Sequence, residues 1–360
     1  MYPSDKYPSY GVFVKNIVDN LKEFYQYNID ESVLRGKSAS FYSKLFSYVR
    51  FYLVSFFRAV FIKYDFIYVH YISHSFLPIL LARLFRNQTV IINVHGGDVT
   101  QHAEVSNFYF KFKKFIAKAA IHHADLVIVP SYAYVDIVVN SYGCNREKVI
   151  ISASGGINSN VFYSRKKSID SSLLKLGYVG RFEPVKGVSL LIDTAKLLKA
   201  KNVNFSLELV GDGSLKAKLL ADIRREHLST YVTLYEQCSQ NTLAQFYSNF
   251  DVLIFPSLSE SLGLVGLEAM SCGCLVIASD IDGIKSYLTH GVNGLLFKKS
   301  DVNDLLDKII EFTALPQTDL NQYTANAIAT AKIYERKNQT KLLVDLINRV
   351  VIDKAGINER

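Results

Sequence analysis

The stretch DVLIFPSLSESLGLVGLEAM, residues 251–270, begins as a continuous apolar run and ends as something else. Residues 251–257 have the length and apolar content of a strand buried on both faces of a sheet. Beyond them, Glu260 and Glu268 stand eight residues apart, with Gly263 and Gly266 between them. A glycine costs a helix interior roughly 0.5–1 kcal/mol relative to alanine, so a helix built only to pack would not place two in its first turns. With Glu260 closing the loop, a helix starts near Gly263 and carries Glu268 one to two turns in. Its first amides have no partner in a preceding turn and, with the helix dipole, form an anion site. Gly263 lets a phosphate approach the backbone, and the two acids can accept hydrogen bonds from hydroxyls on either side. The pattern suits a sugar nucleotide.

The same alternation of strand and helix runs through the chain. The first half holds the apolar runs DFIYVHY (65–71), TVIINVH (89–95), ADLVIVP (124–130) and KVIISA (148–153), with a helical stretch over 105–123. After a polar patch (164–172) the pattern restarts with LLKLGYVG (173–180), NFSLELVG (204–211), DVLIFPS and CLVIAS (274–279). Such strands predict parallel sheets covered on both faces by helices. Two series predict an α/β chain of two doubly wound, Rossmann-like domains facing each other across a cleft. The expected boundaries are 1–165, 166–334 and a final helix, 335–360, packing back on the N-terminal domain. The opening MYPSDKYPSYGVFV reads as a loop leading into a helix, with no strand before it. The N-terminal domain is therefore expected to lack its first strand here, and Met1 is read as other than the natural start.

Composition narrows the function. Of 360 residues, 49% are hydrophobic and 21% charged, as in folded water-soluble proteins. The four cysteines are too few for a disulfide framework, and Cys272 and Cys274 have no further ligands for a zinc site. The pair His122-His123 lacks a third ligand and reads as the polar end of a helix. No signal peptide or membrane-spanning run is evident. Residues 1–165 contain 18 Lys and Arg against 11 Asp and Glu, nearly all of the chain's net +8. A basic half can face nucleic acid, an anionic membrane surface or an acidic substrate. No nucleic-acid motif accompanies it, so no nucleic-acid partner is expected. Residues 41–64 carry ten aromatics, four basic residues and no acid. Lys44, Ser47, Ser55 and Arg58 fall on one narrow helical face. Two readings follow: a core helix whose thin polar stripe is solvated, or a helix lying at a membrane interface with a basic rim.

Further motifs supply countercharge. GYVGRFEPVKG (177–187) follows a strand and carries Arg181 and Lys186 on a glycine-rich loop, where a guanidinium and an ammonium suit phosphate oxygens. Gly11 opens the first helix, a third place where backbone could approach a diphosphate. VHGGDV (94–99) puts His95 and Asp98 at the C-terminal end of a strand, where such sheets place their sites.

With these motifs in order, the sequence resembles glycosyltransferase family 4, retaining enzymes of GT-B architecture. Glu260 and Glu268 reproduce its Glu-x7-Glu motif, and VGRFEPVKG resembles its Gly-Arg…Lys-Gly loop; VHGGD, ADLVIVPS and GVNGLLF follow the family's order. The resemblance implies that Arg181 and Lys186 bind the donor diphosphate and that the Gly263–Leu264 amides bind its distal phosphate. It further implies Glu268 on the ribose hydroxyls, Glu260 on the transferred sugar, His95 beside the reacting sugar and Asp98 on the acceptor side. It implies a UDP- or GDP-sugar donor, no cofactor and no metal; Asp280-Ile-Asp282 mimics a metal motif of another architecture and is discounted. Two departures, Leu262 in place of an aromatic and no glutamate in Asp282-Gly283-Ile284-Lys285-Ser286, point to an unusual donor pocket. The expected protein is a cytoplasmic enzyme, peripheral to the inner face of the membrane. It transfers sugar to a lipid-linked or oligosaccharide acceptor in surface polysaccharide assembly. The alternatives are a synthase of a soluble glycoside and a degenerate sugar-nucleotide-binding protein.

Overall fold

The computed structural model describes residues 1–4, 10–36, 40–100, 107–153, 155–165 and 173–358. Much of the polar patch 164–172 and the first residues of the expected helix 105–123 lie outside the described residues. The chain divides into two compact units. Unit 1 comprises Met1–Gly156 with Arg336–Arg360, and unit 2 comprises Ile157–Glu335.

Unit 1 begins with α1 (Val12–Tyr25) and α2 (Phe41–Phe61), followed by β1 (Ile67–His70). Two short helices, α3 (Ile72–Ser75) and α4 (Leu77–Ala82), lead to β2 (Val90–Asn93) and the single turn α5 (Gly96–Val99). Then come α6 (Asn107–His123), β3 (Leu126–Val129), α7 (Tyr132–Asp136) and β4 (Val149–Ile151). The four strands are parallel, in the consecutive order β1-β2-β3-β4. Among the described residues no strand precedes α1, though Tyr2 makes an isolated bridge with Arg35. Alternate residues of one strand serve opposite faces of the sheet. Ile91, Leu126 and Ile128 pack with Ile17 and Leu21 of α1 and with Leu343, Val344 and Ile347 of the chain's last helix. Val90, Ile92, Val127 and Val129 face the other way, onto Ile116, Ala117 and Ala120 of α6 and Ala59 of α2.

Helix α2 reverses the polarity of the first reading offered above. Its buried residues are Ser55 and Ala59, while Phe41, Tyr42, Phe46, Phe57 and Phe61 are exposed. Arg58 turns back to donate to the Glu31 carbonyl at 2.9 Å, and Ser55 Oγ is buried without a hydrogen-bond partner. The small residues of the stripe allow close approach to the neighbouring helix, and the aromatics go outward.

Unit 2 contains β5 (Leu174–Val179), α8 (Leu190–Ala200), β6 (Phe205–Val210), α9 (Lys216–Arg225), β7 (Val232–Tyr235), α10 (Gln240–Asn249) and β8 (Val252–Phe255). It continues with α11 (Leu264–Ser271), β9 (Leu275–Ser279), α12 (Asp282–Lys285), β10 (Leu295–Phe297), α13 (Val302–Thr313) and α14 (Gln317–Ile333). The last helix, α15 (Arg336–Asn358), belongs to unit 1. The parallel sheet of unit 2 has the order β10-β9-β8-β5-β6-β7. β5 therefore pairs with both β6 and β8, and the winding reverses between β5 and β8. In open α/β sheets ligands bind outside the carboxyl ends of the strands at this reversal. The loops following β5 and β8 are the two glycine-containing stretches 180–187 and 256–263.

Candidate functional site

The two loops are tied together. Leu258 N donates to the Val185 carbonyl at 2.9 Å, and Gly187 lies so close to the Pro256 carbonyl oxygen that any Cβ there would overlap it. Gly187 also sits at φ +67°, in the left-handed region. This close seam brings Lys186 Nζ to 2.5 Å from Glu260 Oε1, which also accepts from Ser257 Oγ at 2.8 Å. The ion pair is largely buried, with side-chain exposures of 20% for Lys186 and 11% for Glu260. A partly desolvated ammonium held by one carboxylate remains able to attract a second anion. Arg181, two residues after the end of β5, is exposed on the same loop.

Gly263 is the N-cap of α11 at φ +86°, and a Cβ on it would meet the Phe255 ring at 2.8 Å. Its carbonyl accepts from Tyr287 Oη at 3.1 Å, which fixes the direction of the helix start. Leu264 is the first residue of that helix, so the amides read from the sequence as an anion site lie where expected in the loop after β8. Glu268 follows one turn later. Its carboxyl is withdrawn from water, which pushes its pKa up to about 7, and Tyr247 Oη donates to Oε2 at 3.0 Å, which acts in the opposite direction. Asp280 and Asp282 share Lys285, at 2.9 and 3.3 Å. Among the described residues no group of three or more His, Cys, Asp or Glu is placed to hold a metal ion.

Unit 1 holds the remaining candidates. Gly11 is the left-handed N-cap of α1, pressed against the Met1–Tyr2 backbone. His95 is the N-cap of α5, and Asp98 closes a reciprocal capping box by accepting from His95 N at 3.0 Å. Asp98 is buried, and its other oxygen accepts from Ser73 N at 3.2 Å and Ser73 Oγ at 2.6 Å. All of these donors are protein groups, so Asp98 holds the turn. The His95 ring stacks on Tyr71 at 4.4 Å between centroids, and its Nε2 lies 3.4 Å from His70 Nδ1. Tyr71 adopts φ +52°, a backbone conformation uncommon outside glycine, and it sits directly beside the candidate histidine. Burial lowers the pKa of both histidines, His70 well below the ordinary value. A neutral imidazole pair can accept or pass a proton, depending on tautomer.

Unit 2 thus brings together Arg181, Lys186, Glu260, Gly263, Leu264 and Glu268, and unit 1 brings together His95 and Asp98, with Gly11 at a separate helix start. Sequence reading missed His70, Tyr71, Ser257 and Tyr247. His70 ends the run DFIYVHY, and the strand-end rule applied to VHGGD would have found it there too. Nothing in the sequence marks Tyr247.

Residues 161–330 match the family model described as glycosyl transferases group 1, and residues 14–155 match the model described as glycosyltransferase family 4. The chain belongs to the family 4 glycosyltransferases. This family 4 chain is 30% identical over 252 residues to an uncharacterized glycosyltransferase of Methanocaldococcus jannaschii, covering 69% of this chain and 65% of that protein. It is 27% identical over 265 residues to a D-inositol 3-phosphate glycosyltransferase of Stackebrandtia nassauensis, covering 66% of this chain and 59% of the relative. The chain thus spans less than two thirds of the length of these curated relatives. Sucrose-phosphate synthase from Thermosynechococcus elongatus has the same fold, with a TM-score of 0.79 at 19% identity over 98% of this chain and 96% of that one. So does Anabaena HepE in complex with UDP and glucose, with a TM-score of 0.73 at 18% identity over 96% and 98%. The GT-B fold expected from the sequence, with two parallel-sheet α/β domains, is the observed one.

Proposed function

We propose that the protein is a metal-independent, retaining glycosyltransferase that moves a sugar from a UDP- or GDP-sugar to a lipid-linked or oligosaccharide acceptor. The observation that carries this reading is the Lys186–Glu260 pair at 2.5 Å, set beside the α11 N-terminus at the winding reversal of unit 2. The loops after β5 and β8 and the first turns of α11 carry one ammonium, one exposed guanidinium and two carboxylates. In the proposed reaction the bond from the anomeric carbon to the diphosphate breaks and its electron pair leaves with the diphosphate. An acceptor hydroxyl oxygen bonds to that carbon on the same face and gives its proton to the departing diphosphate. Arg181, Lys186 and the Gly263–Leu264 amides receive that charge, as preorganised donors do in most polar catalysis. Glu268 accepts from the ribose hydroxyls. Glu260 accepts from hydroxyls of the transferred sugar, oriented for this by Lys186 and Ser257. His95 serves the acceptor side, with Asp98 fixing its turn and His70 contacting its ring.

The acceptor reading rests on the charge and surface of unit 1. No helix among the described residues is long and apolar enough to cross a membrane. The exposed aromatics of α2, with Lys44, Arg50 and Lys63 and no acid in residues 41–64, favour a peripheral position on an anionic membrane surface at its cytoplasmic face. That position suits surface polysaccharide assembly on a pyrophosphate-linked lipid. The test is a thermal-shift screen of UDP-, GDP-, ADP- and CDP-sugars, followed by transfer from the stabilising donor to lipid-linked and soluble acceptors. Stabilisation by one nucleotide sugar and transfer to the lipid-linked or oligosaccharide acceptor is the expected result. Stabilisation without transfer to any acceptor would leave a binding protein instead.

A further inference from the structure

The 17-residue helix α6 has two faces with different work. Its inner face holds the acceptor-side turn. Lys113, buried, donates from Nζ to the Gly97 carbonyl within the His95–Asp98 turn. Tyr109 Oη lies 3.1 Å from His74 Nε2, and the His74 carbonyl accepts from Tyr52 Oη of α2 at 2.9 Å. His74 therefore bridges α6 to α2 immediately after the strand that ends in His70. The outer face is apolar and charged at once. Phe108, Phe112 and Phe115 are 85%, 56% and 68% exposed, and Lys111, Lys114 and Lys118 lie among them at the spacing of one helical face. Lys114 Nζ stands 5.6 Å over the Tyr142 ring. No acidic residue occurs in Asn107–His123.

Water-soluble monomers seldom expose three phenylalanines on one helix without a use for them. We propose that the outer face of α6 is a second membrane-contacting surface, taking an anionic bilayer with its phenylalanines in the headgroup layer and its lysines on lipid phosphates. The inference rests on the membrane reading given for α2 and extends it to a different element. Charge complementarity selects this occupant: three lysines with no acid on the helix repel a basic partner and suit an anionic sheet of lipid. Because the opposite face of the same helix holds Gly97, the bilayer would meet the protein beside the acceptor-side turn. A lipid-linked acceptor would then reach that turn without leaving the headgroup layer.

The chain contains no tryptophan, so one introduced indole reports without background. Phe112→Trp on α6, Phe57→Trp on α2 and Tyr235→Trp on unit 2 are compared with vesicles of phosphatidylglycerol and phosphatidylcholine, some carrying brominated chains. The inference expects a blue shift and bromine quenching at 112 and 57 and neither at 235. In the Phe112→Trp background, Lys111→Glu with Lys118→Glu should weaken vesicle binding at low salt by at least about 30-fold, from about fivefold per lysine. Quenching at 57 without quenching at 112 would overturn the inference and leave the α2 reading standing. Quenching at neither would overturn both. A blue shift at 112 that depends on protein concentration without vesicles would assign the face to a second copy and overturn the inference. Unchanged binding after the lysine reversals would equally overturn it.

Discussion

Glu268 sits between two opposing influences, burial that favours its proton and the Tyr247 hydroxyl that favours its charge. With a pKa near 7, it should make nucleotide affinity depend on pH, because the carboxylate is the better acceptor for ribose hydroxyls. Ligand that prefers the ionised form lowers the pKa in the complex, so affinity should rise as pH increases toward the free protein's pKa and level off above it. Calorimetric titration with UDP on both sides of neutrality checks this. Tyr247→Phe should move the midpoint upward and recover parental affinity in alkaline buffer, whereas Glu268→Gln should flatten the profile and bind about 10- to 150-fold more weakly, as expected for a lost charged hydrogen bond. Arg181→Ala and Lys186→Ala should each weaken UDP by a similar factor and leave uridine nearly unaffected. Equal losses for both ligands would remove these residues from the diphosphate. The charged members of this site were legible because acids and bases in glycine loops have few structural uses. Tyr247 was not legible, because a tyrosine on an apolar helix face is indistinguishable from core until its hydroxyl is seen to meet Glu268.

Among the elements, the two loops at the end of β5 and β8 behave as one piece because Gly187 and Pro256 are in direct contact. Gly187→Ala should separate them: the methyl overlaps the Pro256 carbonyl and the residue is held at positive φ, a cost above about 1 kcal/mol. Thermal unfolding should fall by several degrees, and UDP affinity should fall with it. A variant as stable and as active as the parent would mean the seam is not tight. Of the ten strands among the described residues, eight correspond to the apolar runs read from the sequence and β10 to the GVNGLLF motif. The exception, β7, reads Val-Thr-Leu-Tyr with alternating burial, because it is the edge of its sheet and needs only one apolar face. The orientation of α2 was equally hidden. Periodicity located its polar stripe and left two readings open; small Ser55 and Ala59 pack inside while large aromatics remain outside, the reverse of a core helix with a solvated stripe.

At the scale of the molecule, the chain crosses from unit 2 back to unit 1 at Arg336, and α15 fills one face of the first sheet with Leu343, Val344 and Ile347. Lys354 adds an ion pair to Asp125 at 2.8 Å. Ending the chain after Glu335 should therefore unfold unit 1 at lower temperature, since three large apolar side chains leave its core at about 2–5 kcal/mol each for truncations of this kind. Unit 2, contiguous and with its own core of Leu176, Leu207, Ile254 and Ile277, should keep its transition and its UDP binding. Scanning calorimetry of the parent and the truncated chain separates the two outcomes. Unit 2 is proposed to hold a nucleotide diphosphate between Lys186, Arg181 and the start of α11. The most direct measurement is calorimetric binding of UDP and GDP to the parent and to the Arg181→Ala, Lys186→Ala double variant. Saturable binding of one nucleotide by the parent, lost in the double variant while uridine or guanosine binding persists, is the predicted result. Binding of neither nucleotide by the parent, or undiminished binding by the double variant, would contradict it.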